Sequence, residues 1–310
     1  MKKVGIKSIG SYVPAKILDN AQLSKMVDTS DEWIVSRTGI RERRIAESES
    51  TADMGVLAVQ SCVSEQERES IELLITACGT QSNVYPTQSA QIAHRTPLPH
   101  AVVLDLNVAC TGLIAGMILA QGQLETGRCK NAVVAATEKM SSFVDYTDRS
   151  NCILFGDGAA AVQLSTEDYL HEIIATEIGS DPSGAELLTM GDRSGPGYFW
   201  QDGKNIYRFV QNTLPKLILN LKEKAGIGDG PYWLVPHQAN ARMFDTIAAK
   251  VHLPIDRVLL TIDKYANTSS SSVGIALDEF DRSGKIKKGD LVMMTAFGAG
   301  LAWAGAVVRW

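Results

Sequence analysis

The chain has 310 residues, 45% apolar and 21% charged, with a formal net charge of −5. At roughly 100–200 residues per domain this length implies two domains or one large duplicated one, able to bury a core without metal or disulfide staples. Thirty basic against thirty-five acidic residues give no strong field for nucleic acid or anionic lipid, so any anionic partner must meet a local basic patch.

In chain order, the N-terminal MKKVGIKSIGSYVP has two lysines but no apolar h-region or small-residue cleavage site. No run approaches 18 uninterrupted apolar residues, so no membrane span is expected and the location predicted is cytoplasmic. The runs Leu73-Leu74-Ile75, Val102-Val103-Leu104, Val133-Val134-Ala135, Leu234-Val235, Val258-Leu259-Leu260 and Leu291-Val292-Met293-Met294 read as buried strands. They alternate with helical patterns, which predicts a largely parallel sheet covered on both faces. Pro and Gly gather at 179–203, the expected long surface excursion. The five cysteines, Cys62, Cys78, Cys110, Cys129 and Cys152, include no zinc-ligand spacing and fit a reducing compartment.

The two halves carry a weak repeat. VVLDLNVACTGLIAGMILAQGQLETGRCKNAVVAATE and VLLTIDKYANTSSSSVGIALDEFDRSGKIKKGDLVMMTAFG each run strand, polar residue, small residues, helix, strand. Val273, Ala276, Leu277 and Phe280 give the second helix one buried stripe at i, i+3, i+4, i+7. A pseudo-twofold through this repeat sets Cys110 and Asn267 on equivalent strand-to-helix corners. Domain boundaries are expected at 1–165 and 166–310.

Three residues carry the chemistry. Cys110, in Asn107-Val-Ala-Cys-Thr-Gly112, starts an apolar helix, whose free N–H groups and dipole would favour thiolate over thiol. Alone it would pass for a structural cysteine, as the other four do. His237 leaves a short strand into Pro236-His-Gln-Ala-Asn240, a corner from which a ring projects into a cleft; alone it would pass for a satisfied histidine. Asn267, in Tyr265-Ala-Asn-Thr-Ser269, would alone be a helix N-cap. On three strand ends of a duplicated α/β frame they form a Cys–His–Asn set, in which sulfur attacks a thioester and two neutral donors hold charge on a carbonyl oxygen.

The chain here resembles the β-ketoacyl-acyl-carrier-protein synthase III family of the thiolase superfamily. The resemblance runs through Asp28-Thr-Ser-Asp-Glu-Trp33-Ile-Val-Ser-Arg37-Thr-Gly-Ile-Arg-Glu-Arg43, the Cys110 corner, Asp148-Arg149, Phe155-Gly-Asp-Gly158, Val235-Pro-His237-Gln-Ala-Asn240, Asn267-Thr-Ser and Phe297-Gly-Ala-Gly300. It implies a five-layered αβαβα thiolase-like fold of two pseudo-twofold-related halves. The implied reaction is the initiating decarboxylative condensation of a short acyl-CoA, acetyl-CoA by preference, with malonyl-acyl carrier protein, through an acyl-Cys110 intermediate. His237 and Asn267 would hold the enolate formed on loss of carbon dioxide. Backbone N–H groups of Cys110 and Ala299 would form the oxyanion hole. No metal or organic cofactor is implied, since coenzyme A thioester is a substrate.

The resemblance also assigns Thr29, Trp33, Arg37 and Arg149 to coenzyme A, with Trp33 and Arg149 clamping the adenine. Arg208, Arg242 and Lys250 would dock the carrier protein. It implies a homodimer in which the Asn83-Val-Tyr-Pro86 loop brings Tyr85 into the partner's acyl pocket, favouring a short primer. Ala266 and Ala299 stand where the family usually has glycine, and Thr111 where a smaller residue is frequent, which leaves an altered primer open. A papain-like hydrolase would bring disulfide cysteines and a pro-segment. Degradative thiolases need a second cysteine late in the chain, and none follows Cys152. Chain-elongating synthases use two histidines. The alternatives that stay open are a specialised starter synthase or acyltransferase of secondary metabolism, and a non-catalytic partner subunit, against which the intact triad argues.

Overall fold

The computed structural model describes residues 2–191 and 197–310. In the first half the elements are β1 (Gly5–Tyr12), β2 (Ile17–Asp19), α1 (Asn20–Leu23), α2 (Asp31–Thr38), β3 (Glu42–Arg44), α3 (Thr51–Cys62), β4 (Leu73–Ala77), α4 (Gln88–Arg95), β5 (Val102–Leu106), α5 (Gly112–Glu125), β6 (Asn131–Lys139) and β7 (Asp157–Ser165). The second half has β8 (His171–Ser180), β9 (Leu188–Thr189), β10 (Trp200–Gln201), α6 (Gly203–Lys224), β11 (Trp233–Pro236), α7 (Arg242–Lys250), α8 (Ile262–Tyr265), α9 (Ser272–Arg282), β12 (Leu291–Gly298) and β13 (Ala302–Arg309).

Nine strands hydrogen-bond in the order β5-β4-β6-β7-β1-β8-β13-β12-β11. The β1–β8 seam is only Gly5↔Glu172 and Ile6↔His171, so two sheets meet there at a narrow join. Numbered within each half, the strands follow one order, 3-2-4-5-1: β5-β4-β6-β7-β1 in the first, and the 258 segment, β11, β12, β13, β8 in the second. That shared order is the pseudo-twofold. The expected Val258-Leu259-Leu260 strand is reduced to a single parallel bridge, Leu234↔Val258, because the chain turns into α8 four residues later.

The largely parallel sheet expected from the alternation is corrected. Only β4–β5, β4–β6 and β11–β12 are parallel; β1–β7, β1–β8, β6–β7, β12–β13 and β8–β13 are antiparallel. The antiparallel strands are those the apolar-run criterion missed, since β7 reads Asp-Gly-Ala-Ala-Ala-Val and β8 alternates charge with apolar residues.

Three apolar cores define five layers. The central one packs α5 (Leu113, Ile114, Met117) against α9 (Val273, Ala276, Leu277) between the inner faces of both sheets. The first half of α5, Gly112–Met117, is buried at every position and belongs in this middle layer. A second core seats α6 and α7 outside the β11–β12–β13 sheet, and a third seats α3 and α4 outside the other. A fourth cluster gathers Leu23, Ile34, Ile40, Phe155, Phe199 and Ile262 under a cap formed by α1, α2, β3 and the 140–155 segment. Among the described residues no helix is long and apolar enough to cross a membrane, and all five cysteines are free.

The α5 and α9 stripes share the central layer, so a void there has no mobile surface to collapse it. Leu277→Ala should cost about 2–5 kcal/mol by urea denaturation, the usual range for a buried leucine; a loss below about 1 kcal/mol would contradict the central placement.

Candidate active site

The two strand-to-helix turns repeat the same backbone, three residues out of step with the sequence alignment. Val108 (φ −136°, ψ 34°) matches Thr268 (φ −96°, ψ 28°), and Ala109 (φ 48°) matches Ser269 (φ 52°). Thr111 (φ −82°, ψ −4°) matches Ser271 (φ −82°, ψ −14°), and each hydroxyl donates back to the carbonyl three residues earlier. Cys110 is therefore equivalent to Ser270, and Asn267 to Asn107. This corrects the expectation that Cys110 and Asn267 occupy equivalent corners; they nonetheless reach the same space.

That space is a cavity of about 500 Å³, lined by Cys110, His237 and Asn267 together with Glu138, Phe297 and Ala299 among others. The volume is ordinary for a small-molecule site. The 179–203 excursion is more than surface: Leu188, Thr189, Met190, Phe199 and Gln201 form part of the wall, while 192–196 lie outside the described residues.

Each of the three side chains is held by neighbours that fix its chemistry. Asn267 lies beside the Phe155-Gly-Asp-Gly158 motif, donating its N–H to the Leu154 carbonyl and accepting from the Gly156 N–H. Asp157 of that motif is buried and accepts from the Ala46 and Ser141 N–H groups and the Ser141 hydroxyl, so the motif is structural. The Asn267 Oδ1 accepts the Ser269 N–H at 2.8 Å. A backbone N–H only donates, so this contact fixes the carboxamide orientation and leaves the NH₂ group as the free donor.

The His237 N–H donates to the Thr295 carbonyl, and Phe297 meets the imidazole edge-on at 5.4 Å between ring centres. Its Nδ1 lies 2.6 Å from the Ser272 hydroxyl, which accepts from the Gln238 N–H. Among the described residues the ring is the one acceptor for the Ser272 proton, which makes Nε2 the nitrogen carrying hydrogen. Burial pushes the imidazole down to about 3, so it is neutral at any ordinary pH.

Cys110 opens a short turn (Ala109–Thr111) that runs into α5. Its sulfur lies 3.6 Å from the Ser269 hydroxyl. The expected thiolate is corrected. Burial pushes the thiol up to about 12, and the nearby Glu138 carboxylate adds to the rise. The helix N-terminus is present, but its half-charge does not offset desolvation beside a buried acid.

Gly298 explains how the 298–300 loop comes close to Cys110. A Cβ there would stand 2.9 Å from the Cys110 nitrogen and 3.2 Å from its Cβ. The Cys110 and Ala299 N–H groups make no backbone hydrogen bond among the described residues. Ala299 does not take a positive φ, so alanine costs nothing in backbone terms at that position. Ala266 does (φ 55°, ψ −153°), a conformation costing a non-glycine residue on the order of 1–3 kcal/mol. It is held by its own N–H on the Ile262 carbonyl and by the Asn267 contacts just described.

The remaining predicted residues lie away from the cavity wall. The Arg149 guanidinium sits 5.1 Å from the Trp33 ring centre and that of Arg37 5.9 Å, so the three do cluster. Among the described residues the buried Thr29 hydroxyl has no hydrogen-bond partner. Arg242 and Lys250 are the first and last residues of α7, and Arg208 is exposed on α6. Arg242 donates to the Ser36 carbonyl of α2, and the Lys250 ammonium to the Gln211 carbonyl. Tyr85 is 83% exposed and is absent from the cavity of its own chain. Sequence reasoning missed Glu138, Ser269, Ser272 and Gly298. A charged residue ending an apolar strand, as Glu138 does in Ala135-Ala-Thr-Glu138, was the available signal.

A five-layered thiolase-type fold, with a thiol, a neutral imidazole and a donor carboxamide on one cavity, defines the class: thiolase-fold condensing enzymes. Comparison with known proteins agrees. Residues 104–182 match the family model for 3-oxoacyl-[acyl-carrier-protein] synthase III, and 226–310 that for its C-terminal part. The chain is 37% identical to β-ketoacyl-[acyl-carrier-protein] synthase III 1 of Bacillus anthracis, over 99% of both chains. It superimposes on the crystal structure of the Aquifex aeolicus VF5 3-oxoacyl-[acyl-carrier-protein] synthase III with a TM-score of 0.95 at 36% identity, covering 99% and 100% of the two chains. The priming β-ketosynthase of the R1128 polyketide pathway gives 0.92 at 33% identity, covering 99% and 96%. The chain belongs to the β-ketoacyl-[acyl-carrier-protein] synthase III family.

Gly298→Ala should leave the protein folded but lower the condensation rate about 10²-fold, the order expected when a reacting group is displaced by about 1 Å. Unchanged turnover would show that the loop and the nucleophile are not in register.

Proposed function

We propose that this chain catalyses the initiating condensation of fatty-acid synthesis, joining a short acyl-CoA primer to malonyl-acyl carrier protein. The observation that carries the reading is that Cys110, His237 and Asn267, far apart in sequence, line one cavity with their donors turned to it. Cys110 takes the acyl group, forming a thioester and releasing coenzyme A. Malonyl thioester then binds with its carbonyl oxygen on the His237 Nε2–H and the Asn267 NH₂. Loss of carbon dioxide leaves an enolate held by two neutral donors, and its carbon attacks the acyl-Cys110 carbonyl. The Cys110 and Ala299 N–H groups receive the new oxyanion, which collapses to the β-ketoacyl product. One such donor is typically worth about 10²–10³ in rate. None of these steps calls on a metal or organic cofactor, since both substrates arrive as activated thioesters.

Coenzyme A is read onto Thr29, Trp33, Arg37 and Arg149. A base sandwiched between Trp33 and Arg149 needs about 7 Å, two van der Waals contacts, against the present 5.1 Å. Arg149 therefore swings outward on binding, and its exposed contacts with Asp28, an ion pair at 3.9 Å and a hydrogen bond to the carbonyl at 3.3 Å, offer little resistance. The carrier protein is read onto Arg208 and Arg242. Lys250 is the weakest of that set because its ammonium already serves Gln211.

A homodimer is read onto the β5 edge. This strand ends the sheet with Val102 61% and Leu104 51% exposed, and Val84 and Tyr85 are exposed as well. An apolar, unpaired edge of this kind invites another strand. In such a pair the Tyr85 loop of one protomer closes the acyl end of the other's cavity, which favours a short primer. Leu104→Asp should yield monomers by sedimentation with little condensation activity; a fully active dimer would contradict the β5 interface.

With labelled acetyl-CoA, the protein should carry label that Cys110→Ala abolishes. His237→Ala combined with Asn267→Ala should still be labelled yet release carbon dioxide from malonyl-carrier protein at least 10³-fold more slowly. Because the imidazole is already neutral, decarboxylation should stay flat from pH 8 down to about pH 5. Undiminished product from the double variant would refute the reading. The 33% identity to a polyketide priming synthase favours one second reading, a starter synthase of secondary metabolism. A primer panel separates the two, since that reading predicts a preferred primer other than acetyl-CoA.

A further inference from the structure

One buried group in the cavity has no part in the steps above. Glu138, near the end of β6, is 1% exposed and forms part of the cavity wall. Among the described residues it has no ion pair; the neighbouring Lys139 ammonium turns away onto the Glu47 and Glu49 carbonyls. A buried carboxylate without a cation is costly, and such groups concentrate at functional sites.

Its two oxygens have different surroundings. Oε2 accepts the Gly79 N–H at 3.1 Å and the Thr80 hydroxyl at 2.6 Å. Thr80 itself accepts the Lys139 N–H, so its own proton is committed to Glu138. Oε1 instead meets two hydroxyls free to reverse, Ser269 at 3.2 Å and Ser270 at 2.7 Å. Ser269 is also the hydrogen-bond partner of the Cys110 sulfur, at 3.6 Å. A continuous path runs from thiol to carboxylate through one hydroxyl.

We propose that Glu138 acts as a positioning residue for the nucleophile, taking up the Cys110 proton on Oε1 by way of the Ser269 hydroxyl. The geometry is independent of substrate, while the purpose rests on the acyl-transfer reading above. As the Cys110 sulfur–carbonyl bond forms, the thiol proton passes to Ser269 Oγ, and the Ser269 proton passes to Glu138 Oε1. When the bond to the coenzyme A sulfur breaks, the same path runs in reverse and delivers the proton to the departing thiolate. The carboxylate ends as it began.

The thiol needs such an acceptor, since burial raises it to about 12 while the His237 ring, down at about 3, is a poor base with Nδ1 already engaged. Burial likewise raises Glu138 above the usual carboxylate range, which strengthens it as a base. The titratable groups around it are Cys78 at the end of β4, Cys110 in its turn and His237 across the cavity; the 269–271 turn offers only hydroxyls. Both thiols are raised and the imidazole is lowered, so of these groups Glu138 is the one placed to accept the proton.

The test is the pH profile of Cys110 alkylation by iodoacetamide, read on the Cys110 peptide by mass spectrometry. Wild-type protein is compared with Glu138→Gln and Ser269→Ala. Thiolate with carboxylic acid carries the same net charge as thiol with carboxylate. Once Glu138 has ionised, the wild-type rate should therefore flatten into a plateau, and it should fall as pH drops below that point. Both variants should lose the plateau and rise tenfold per pH unit, and Ser269→Ala, which keeps the carboxylate's charge, should react about tenfold more slowly than wild type at pH 7. A wild-type rate that itself rises tenfold per pH unit throughout, with Glu138→Gln simply faster, would show that Glu138 acts only as a nearby negative charge and would overturn the proposal. An unchanged profile in Ser269→Ala overturns it equally, and that variant decides alone if Glu138→Gln does not fold. Acylation of wild-type protein by acetyl-CoA, run in parallel, reports on the acyl-transfer reading by itself. Its failure would leave the alkylation result standing.

Discussion

The structure depends on one close crossing at its pseudo-twofold axis. Each half's strand-to-helix turn is pressed against the other half: the end of β12 against the Cys110 turn, and the end of β6 against the Ser269–Ser271 turn. The tolerances are those of backbone contact. A Cβ on Gly298 would stand 2.9 Å from the Cys110 nitrogen, and one on Gly112 would stand 2.6 Å from the Ala77 Cβ and 3.0 Å from that of Ser270. Glycine is needed at both places for want of room. The apolar α5–α9 layer holds the turns together, and the cavity is what remains between them.

Dryness then sets the chemistry. Inside a largely apolar wall the charged form of each titrating group is disfavoured, so the imidazole is neutral and the thiol protonated. A neutral ring and an amide suit an enolate better than a cation would, because they stabilise charge as it develops without first forming an ion pair with the substrate. The same dryness would leave the sulfur unreactive unless its proton had somewhere to go. The low dielectric that strengthens the donors makes an internal acceptor necessary.

Sequence patterns exposed the parts of the fold that are apolar and continuous. Strands β4, β5, β6, β11 and β12 stand where their valine- and leucine-rich runs are, and α9 buries the Val273, Ala276, Leu277 stripe. Strands β1, β7, β8 and β13 were invisible to that criterion, being rich in Gly and Ala or interleaved with charge; β7 and β13 owe their burial to position in the sheet, and β8 stays mostly half-buried. The candidate triad was legible because each member sits beside small residues at a turn, Cys110 and His237 after strands β5 and β11 and Asn267 after α8. The register of the repeat was not. Alignment by residue type paired Cys110 with Asn267, whereas backbone dihedrals pair it with Ser270, since positive φ at Ala109 and Ser269 marks the true correspondence. Glu138 escaped for a related reason: its neighbours, Gly79, Thr80, Ser269 and Ser270, come from two remote segments.

That corrected register shows how a symmetric scaffold supports an asymmetric site. Both turns present a small side chain at the same point, a thiol in one half and the Ser270 hydroxyl in the other. What each meets differs. Cys110 meets Gly298, whose missing side chain leaves a concave space that a carbonyl can enter. Ser270 meets Glu138, whose carboxylate fills the corresponding space and accepts its proton. The second turn therefore has no room for a substrate and serves as wall and hydrogen-bond source. Its strained entry at Ala266 is tolerated because Leu154, Gly156 and Ile262 hold the backbone there on both sides. Exchanging one glycine for a glutamate across the pseudo-twofold is enough to turn a second potential nucleophile site into support for the first.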